Sequence, residues 1–351
     1  MKETHNFQTE FSNSFKNKTF YKPRWVKIKL TERCNLRCVK CNYRLNESTI
    51  TNNGAELTLE EILNIIDQLE ILNIEKIKFL GGEATIRKDL SKIISYCSSK
   101  KIKTQLTTNG YFIDEKLATK LVEAGLSKIL ISIDSHLSHV HDELTGVIGS
   151  WNKTMSSFLH LSKAKKMLNT KIQIVASSVI DSGNFEFIED LFYFLSSLFV
   201  DGIIFNRINT DELDDKSNGL SKEQIDLFSN VILNQLLKQA ESKNIHFSSN
   251  FGSSTELEKN YNYIYDKIPC YSSYFSFYIS AIGNVYPCCS IKQKEFWMGN
   301  IRTEKIADIV NNDKFKQFRK KCLPPIEFSS CKSCFDMNDD NLEIDNILKN
   351  L

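Results

Sequence analysis

The chain has almost no net charge, no long hydrophobic run, no internal repeat and no low-complexity segment. Lys and Arg number 45 against 43 Asp and Glu, a formal +2, so composition gives no electrostatic case for a nucleic acid partner. Residues 1–22 are polar and charged and lack the apolar core of a signal peptide. The longest apolar stretch, residues 191–200, is too short to span a bilayer. No membrane association is expected, and a cytoplasmic location is. Without an export signal, the ten cysteines point to a reducing compartment and to metal ligation rather than disulfides. What is present is ordinary for a soluble globular protein: 41% hydrophobic and 25% charged residues in 351, enough for two domains and a sizeable core.

Residues 1–24 show no helix or strand pattern and read as an irregular arm, too short for a separate peptide-recognition domain. From Trp25 on, strand and helix patterns alternate. Strands are expected at 25–30, 76–80, 103–108, 128–133, 171–180 and 202–207. Helices are expected between them, the first opened by a Thr58…Glu61 capping box. Such alternation with short loops argues for a parallel sheet covered by helices. Six units are too few to close an eight-stranded barrel, so the expectation is an α/β fold: a curved, open, partial (β/α)6 TIM-like barrel. Its site would lie at the carboxyl ends of the strands. Residues 211–219 read as a polar loop. Ser221 and Gln224 open another capped helix, and a further helical stretch is expected near 255–265. The division is then an arm (1–24), a core domain (25–210), connecting helices (211–267) and a small cysteine-rich α+β domain (268–351).

Cys34, Cys38 and Cys41 lie on the loop leaving the first strand, with three and then two residues between them. Three thiolates suit a soft metal centre but are too few to close a tetrahedral zinc site or to ligate every iron of a cubane. A cubane held this way keeps one iron open. Gly81-Gly82-Glu83 follows the second strand directly. Alone, it is a tight turn in which glycine lets the backbone approach a neighbour closely. Thr107-Thr108-Asn109-Gly110 and Ser132-Ile133-Asp134 end the third and fourth strands. Taken singly, these are turn and capping chemistry.

In order and spacing these motifs resemble the radical S-adenosylmethionine (SAM) superfamily. The resemblance implies a [4Fe–4S] cluster on Cys34, Cys38 and Cys41, with SAM chelating the fourth iron through its amino and carboxylate groups. It implies that Gly81, Gly82 and Glu83 meet the amino group of SAM. It also implies that Asn109, Ser132 or Asp134, and less strongly Ser177 or Ser178, serve the rest of that molecule. His141-Asp142 and Thr145-Gly146 match as well. Two departures stand out. Many relatives carry Arg where Thr145 stands, and an aromatic residue, which packs near the adenine, where Lys40 stands; Tyr43 is the candidate substitute. Arg207, ending the sixth strand, is a candidate for a substrate anion or hydroxyl; alone, such an Arg is a surface or salt-bridge residue.

Cys270, Cys288, Cys331 and Cys334 form a second constellation, with Gly283 five residues before Cys288 on an expected hairpin. By itself this suits a structural zinc ribbon. Beside the first loop it resembles the auxiliary-cluster domains called SPASM and, in shortened form, twitch. No cysteine follows residue 334, so one auxiliary [4Fe–4S] cluster is expected. Cys97, Cys289 and Cys322 are left over. Cys97 fits a buried helix position, Cys289 should face away from the cluster if Cys288 faces it, and Cys322 looks peripheral but is an alternative ligand. The resemblance implies an electron from flavodoxin or ferredoxin, reductive cleavage of SAM and hydrogen abstraction from substrate. The leftover thiols favour oxidation of an alcohol-bearing small molecule. Peptide modification, epimerisation and a non-catalytic iron–sulfur sensor or scaffold are the alternatives.

Overall fold

The structure, a computed structural model, describes residues 2–41, 55–208, 219–251, 267–291, 294–328, 331, 334 and 338–349. In chain order its elements begin α1 (Lys2–Asn17), β1 (Trp25–Lys29), α2 (Leu59–Ile71), β2 (Lys76–Leu80), α3 (Leu90–Ser99), β3 (Lys103–Thr108) and α4 (Glu115–Glu123). Next come β4 (Lys128–Ser132), α5 (Ser138–Thr145), α6 (Ser150–Met167), β5 (Gln173–Ile180), α7 (Ile188–Ser196) and β6 (Gly202–Arg207). Then follow α8 (Lys222–Leu227), α9 (Leu233–Ser242), β7 (His246–Ser249), α10 (Ser272–Phe275), β8 (Ser276–Ile279) and β9 (Asn284–Tyr286). The last are β10 (Gly299–Asn300), α11 (Ile306–Ile309), α12 (Asp313–Lys321) and α13 (Asn338–Lys349). Residues 211–218 of the loop expected at 211–219, the helix expected near 255–265 and Tyr43 lie outside the described residues. No helix among the described residues is long and apolar enough to cross a membrane.

The chain divides into two compact units. One comprises Leu30–Asn53 and Phe79–Lys259. Here β3 to β7 pair in sequence order, all parallel, with Leu106 opposite Ile129, Ile131 opposite Ala176, Ala176 opposite Ile203 and Phe205 opposite Ser249. Ile129, Ile131, Ile174, Ala176, Ile203 and Phe205 are fully buried, as parallel strands under helices require. Leu121 of α4, Leu161 of α6 and Phe192 of α7 are fully buried too. Each large apolar side chain so placed contributes about 1.5–3 kcal/mol. Because the strands are parallel, Thr108, Ser132, Ile180 and Arg207 all close strands at the same edge.

The sheet holds one strand more than the sequence pattern predicts. β7 is a four-residue segment with one fully apolar, buried side chain, too short for a periodicity to show. It forms because β6 offers an unpaired ladder and because Phe247 packs edge-on to Phe192 and Phe205, with ring centroids at 5.3 and 5.4 Å. The expected capping boxes at Thr58/Glu61 and Ser221/Gln224 are both formed.

The other unit comprises Met1–Lys29, Gly54–Lys78 and Asn260–Leu351. β1 runs parallel to β8, and β8 turns into β9 as an antiparallel hairpin. Gly283 makes that turn with φ +87°, in the left-handed region that favours glycine. Glu61 of the α2 capping box also takes a bidentate hydrogen bond from Arg302, at 2.5 and 3.0 Å. The irregular arm expected at the N-terminus is instead α1. Phe11 and Phe15, four residues apart, pack against Tyr271 and Tyr274, with centroids between 5.4 and 5.8 Å. Phe275 and Ile344 complete this cluster. Phe7, Phe11 and Phe15 recur every fourth residue on an otherwise polar helix; burial of Phe11 against distant aromatics secures the conformation.

Candidate metal centres

In the first unit the cysteine loop is held by backbone rather than by its own side chains. The Gly82 amide donates to the Thr31 carbonyl and the Glu83 amide to that of Arg33, both at 2.8 Å. A Cβ on Gly82 would overlap the Arg33 carbonyl, so this close approach requires glycine. On the other side, the amides of Arg37 and Val39 donate to the carbonyls of Thr145 and Leu144, at 2.8 and 3.0 Å. Gly146 turns there with φ +67°, and a Cβ would stand 2.9 Å from the Arg37 carbonyl. Thr145, in the position where relatives carry Arg, spends its hydroxyl on the carbonyls of His141 and Asp142 and on Ser150.

Cys34, Cys38 and Cys41 are half-buried and lie close enough for their charges to act on one another. Burial raises the Cys34 thiol, and it pushes Cys38 up to about 12, with Asp134 adding to the shift and Lys40 opposing it. Such thiols become ligands when a metal displaces the proton. Among the described residues, no three His, Cys, Asp or Glu side chains converge tightly enough for a single metal ion. A cubane binds one thiolate per iron and sets its ligands further apart than one ion does.

Glu83 is 1% exposed. Its Oε1 accepts from the Thr85 amide, the Thr85 hydroxyl and the Thr108 hydroxyl at 2.9, 2.6 and 2.7 Å, and its Oε2 accepts from the Asn109 amide at 2.7 Å. It has no cationic partner among the described residues. A carboxylate offers about two lone-pair sites per oxygen, so Oε2 keeps one. A buried anion with one open acceptor site and no counter-ion fits the ammonium of an amino acid. The Asn109 side chain also donates to Asn35, inside the cysteine loop, at 3.0 Å.

The residue just before the third cysteine, Lys40, departs from the pattern the sequence resembles, and the structure explains it. Lys40, with a side chain 7% exposed, reaches the Asp134 carboxylate at 3.3 Å, that of Asp181 at 3.2 Å and the Val179 carbonyl at 2.8 Å. The other Asp134 oxygen accepts from the Val179 amide at 2.7 Å, so a carboxylate expected near a ribose is engaged in tying the loop to β4 and β5. His141 lies against them. Its Nδ1 accepts from the Asp134 amide at 3.5 Å, and burial holds its pKa below the ordinary value. Its Nε2 is buried with no partner among the described residues.

The remaining candidates share the sheet edge but are less central. Ser132 pairs in register with Ser177, whose hydroxyl accepts from Asn206 at 3.2 Å. Ser178 donates its hydroxyl to the Ile133 carbonyl. Arg207 stands two strands beyond β4, its amide donating to Asn250 at 2.6 Å.

In the second unit the thiols gather from four segments. The Cys270 amide donates to the Cys322 carbonyl at 3.0 Å, and the Cys334 amide to that of Cys331 at 3.2 Å. Asn341 of α13 donates to the Cys270 sulfur at 3.7 Å. The Cys288 thiol feels Cys289, Cys334, Cys331 and Cys270, and the Cys322 thiol feels Cys270, Cys331 and Cys288. Burial is the main cause that raises Cys270, Cys288, Cys322 and Cys331, the last to about 12. Cys322 is not peripheral, as its Lys-rich surroundings suggested. It caps the C-terminus of α12 and is 2% exposed. Cys289 takes a contact from the Lys27 ammonium at 2.7 Å, and Cys97 is fully buried in α3.

The fold and these two thiol groups define a class: an open parallel α/β domain with a three-cysteine loop at the carboxyl edge, plus a cysteine-rich second unit. The sequence matches the radical SAM superfamily over residues 28–177 and the SPASM iron–sulfur cluster-binding domain over residues 270–335. The chain thus carries a radical SAM domain and a SPASM domain, which imply a SAM-binding [4Fe–4S] cluster and auxiliary ligation of the same kind. It is 36% identical over 126 residues to an Fe-coproporphyrin III synthase of Methanosarcina barkeri, covering 36% of this chain and 31% of that one. To a PqqA peptide cyclase of Granulibacter bethesdensis it is 30% identical over 139 residues, 40% of this chain and 36% of that one. Each match thus spans about a third of the relative's length. Streptococcus suis SuiB bound to SAM superposes with a TM-score of 0.67 over 94% of this chain and 73% of that chain, at 17% identity. At that identity the likeness is one of fold. SuiB is also solved with the precursor peptide SuiA, with a TM-score of 0.64.

Proposed function

We propose that this chain is a radical SAM enzyme that removes a hydrogen atom from a peptide. The observation that carries the SAM reading is Glu83: a buried carboxylate without a counter-ion among the described residues, one acceptor site open, on a turn bonded to the residues just before Cys34. When bound, the cluster and SAM supply reductive cleavage to methionine and a hydrogen-abstracting 5′-deoxyadenosyl radical, the electron coming from a donor of the flavodoxin or ferredoxin kind. The chain's part is to hold the ammonium of SAM at Glu83, to fix the loop through Gly82 and Lys40, and to exclude water from the strand edge.

The alcohol-bearing small molecule favoured on sequence alone has no support among the relatives. The peptide reading rests on two of them, a peptide cyclase by name and SuiB solved with a precursor peptide, whose fold superposes over 94% of this chain. Oxidising a peptide, for instance by cross-linking, removes one hydrogen atom to the adenosyl group, one electron and one proton. Cys270, Cys288, Cys331 and Cys334 would hold the auxiliary centre, which would supply an acceptor for that electron. Anaerobic reconstitution with SAM and a reductant should yield 5′-deoxyadenosine. Small peptides encoded beside the gene, incubated in the same mixture, should then lose about two hydrogens by mass spectrometry. Deoxyadenosine without any peptide product, but with turnover of a sugar alcohol, would return the small-molecule reading.

A further inference from the structure

Arg319 of α12 is fully buried. Its guanidinium donates twice to the Ser273 carbonyl, at 3.1 and 2.9 Å, once to that of Lys18 at 3.0 Å and once to that of Val310 at 2.8 Å. The rings of Phe315, Tyr274 and Phe20 surround it, with centroids 4.9, 5.2 and 5.7 Å from its central carbon. No carboxylate pairs with it among the described residues. The ionisable groups that act on it are Tyr274 and Cys322. The Tyr274 hydroxyl is itself buried and unpartnered among the described residues. Cys322, three residues along and within the same cap, adjoins Cys270 through its carbonyl and feels the thiols of Cys331 and Cys288.

Burying a cation is costly unless a counter-charge is near. Carbonyl dipoles and ring faces soften that cost but carry no net negative charge. The negative charge this site can acquire lies on the neighbouring thiols, once they ligate iron. We propose that Arg319 is the counter-charge of the auxiliary cluster: its hydrogen bonds are met by carbonyls, and its helix ends three residues on at Cys322, whose carbonyl accepts from the Cys270 amide. The inference rests on placing that cluster at Cys270, Cys288, Cys331 and Cys334. A four-thiolate cluster is anionic and more so after reduction, so a fixed buried cation stabilises the reduced form and raises its potential.

The test uses the full chain with Cys34, Cys38 and Cys41 replaced by Ala, so that only the auxiliary cluster is loaded. Its midpoint potential is followed by EPR during redox titration. Arg319→Gln should shift the midpoint to more negative values, while Arg319→Lys, which keeps the charge, should stay closer to the parent. An unmoved midpoint in Arg319→Gln overturns the proposal, as does an equal shift in both variants, which marks packing rather than charge. If Arg319→Gln gives too little folded protein, Phe20→Glu leaves Arg319 in place and supplies the missing carboxylate. It should lower the midpoint likewise, and an unmoved value there overturns the proposal. A parent that holds no iron, instead of about four irons per chain, fails the auxiliary-cluster reading itself; iron present with an unmoved potential fails only the role of Arg319.

Discussion

A long cation is buried near the thiols of each unit, Lys40 in one and Arg319 in the other, and the two are neutralised differently. Lys40 is paired with two carboxylates, Asp134 and Asp181, within 3.3 Å. Arg319 has carbonyls and aromatic faces but no carboxylate among the described residues. A cation closed within an ion-pair triad has little field to spare; its function is mechanical, a tie between the cysteine loop and the ends of β4 and β5. A cation left uncompensated keeps its field for a later arrival. The chemistry of the two side chains fits the division. The planar guanidinium distributes its donors over three carbonyls and stacks on rings, whereas the ammonium, a compact charge, draws in carboxylates.

The largest effect should come from breaking the comparison on one side alone. Replacing Cys34, Cys38 and Cys41 by Ala should abolish formation of 5′-deoxyadenosine and halve the iron content, leaving the EPR signal of the auxiliary cluster. Iron equal to that of the parent protein would refute the assignment of the first loop.

Removing Lys40 should cost more than its own contacts. Lys40→Met leaves two buried carboxylates facing each other, and deleting one partner of a buried pair typically costs about 3–5 kcal/mol. Chemical denaturation should show most of that loss, and removing both unpaired carboxylates with Asp134→Asn and Asp181→Asn in the same chain should recover part of it. A triple variant no more stable than Lys40→Met would show that the triad does not act as a charge unit.

Glu83→Gln sharpens the point further, because it changes charge while keeping the shape and most of the acceptors of the turn. SAM affinity, measured anaerobically, should fall by about 1.5–3 kcal/mol, or roughly tenfold to more than a hundredfold, with iron content unchanged. Undiminished affinity would free Glu83 from the role of ammonium partner.

The smallest effect concerns pH. Burial tends to raise Asp142, but hydrogen bonds from the Trp151 and Gly149 amides and the Ser150 hydroxyl outweigh it, and its pKa lies below the ordinary value. A depressed carboxylate stabilises the fold above its unfolded pKa, about 4, and loses that contribution as pH falls through the lower folded value. The melting temperature of Asp142→Asn should therefore approach that of the parent below about pH 4 and lie slightly under it at neutral pH.

Much of this was legible in the sequence because it depends on short, fixed spacings. Cysteine, glycine and carboxylate motifs at successive strand ends, and two capping boxes, place their own chemistry within a few residues and need no distant partner. Most strands of the parallel sheet could be read the same way, from apolar residues that alternate or run together, as in β2, β4 and β5. β7, four residues with one apolar side chain, and α1, polar apart from Phe7, Phe11 and Phe15, were not read. Rings supplied from far along the chain hold them: Phe192 and Phe205 for β7, Tyr271, Tyr274 and Phe275 for α1.

The sequence by itself therefore determined the kind of centre this protein is built around and the order of the pieces that form it. Only the tertiary structure decided how those pieces are charged. That Lys40 meets Asp181, 141 positions away, that Cys322 joins Cys270 rather than the surface, and that Arg319 is enclosed with no carboxylate among the described residues are matters of packing between distant segments. An ion's worth depends on what it is buried beside, and no spacing rule along the chain carries that information.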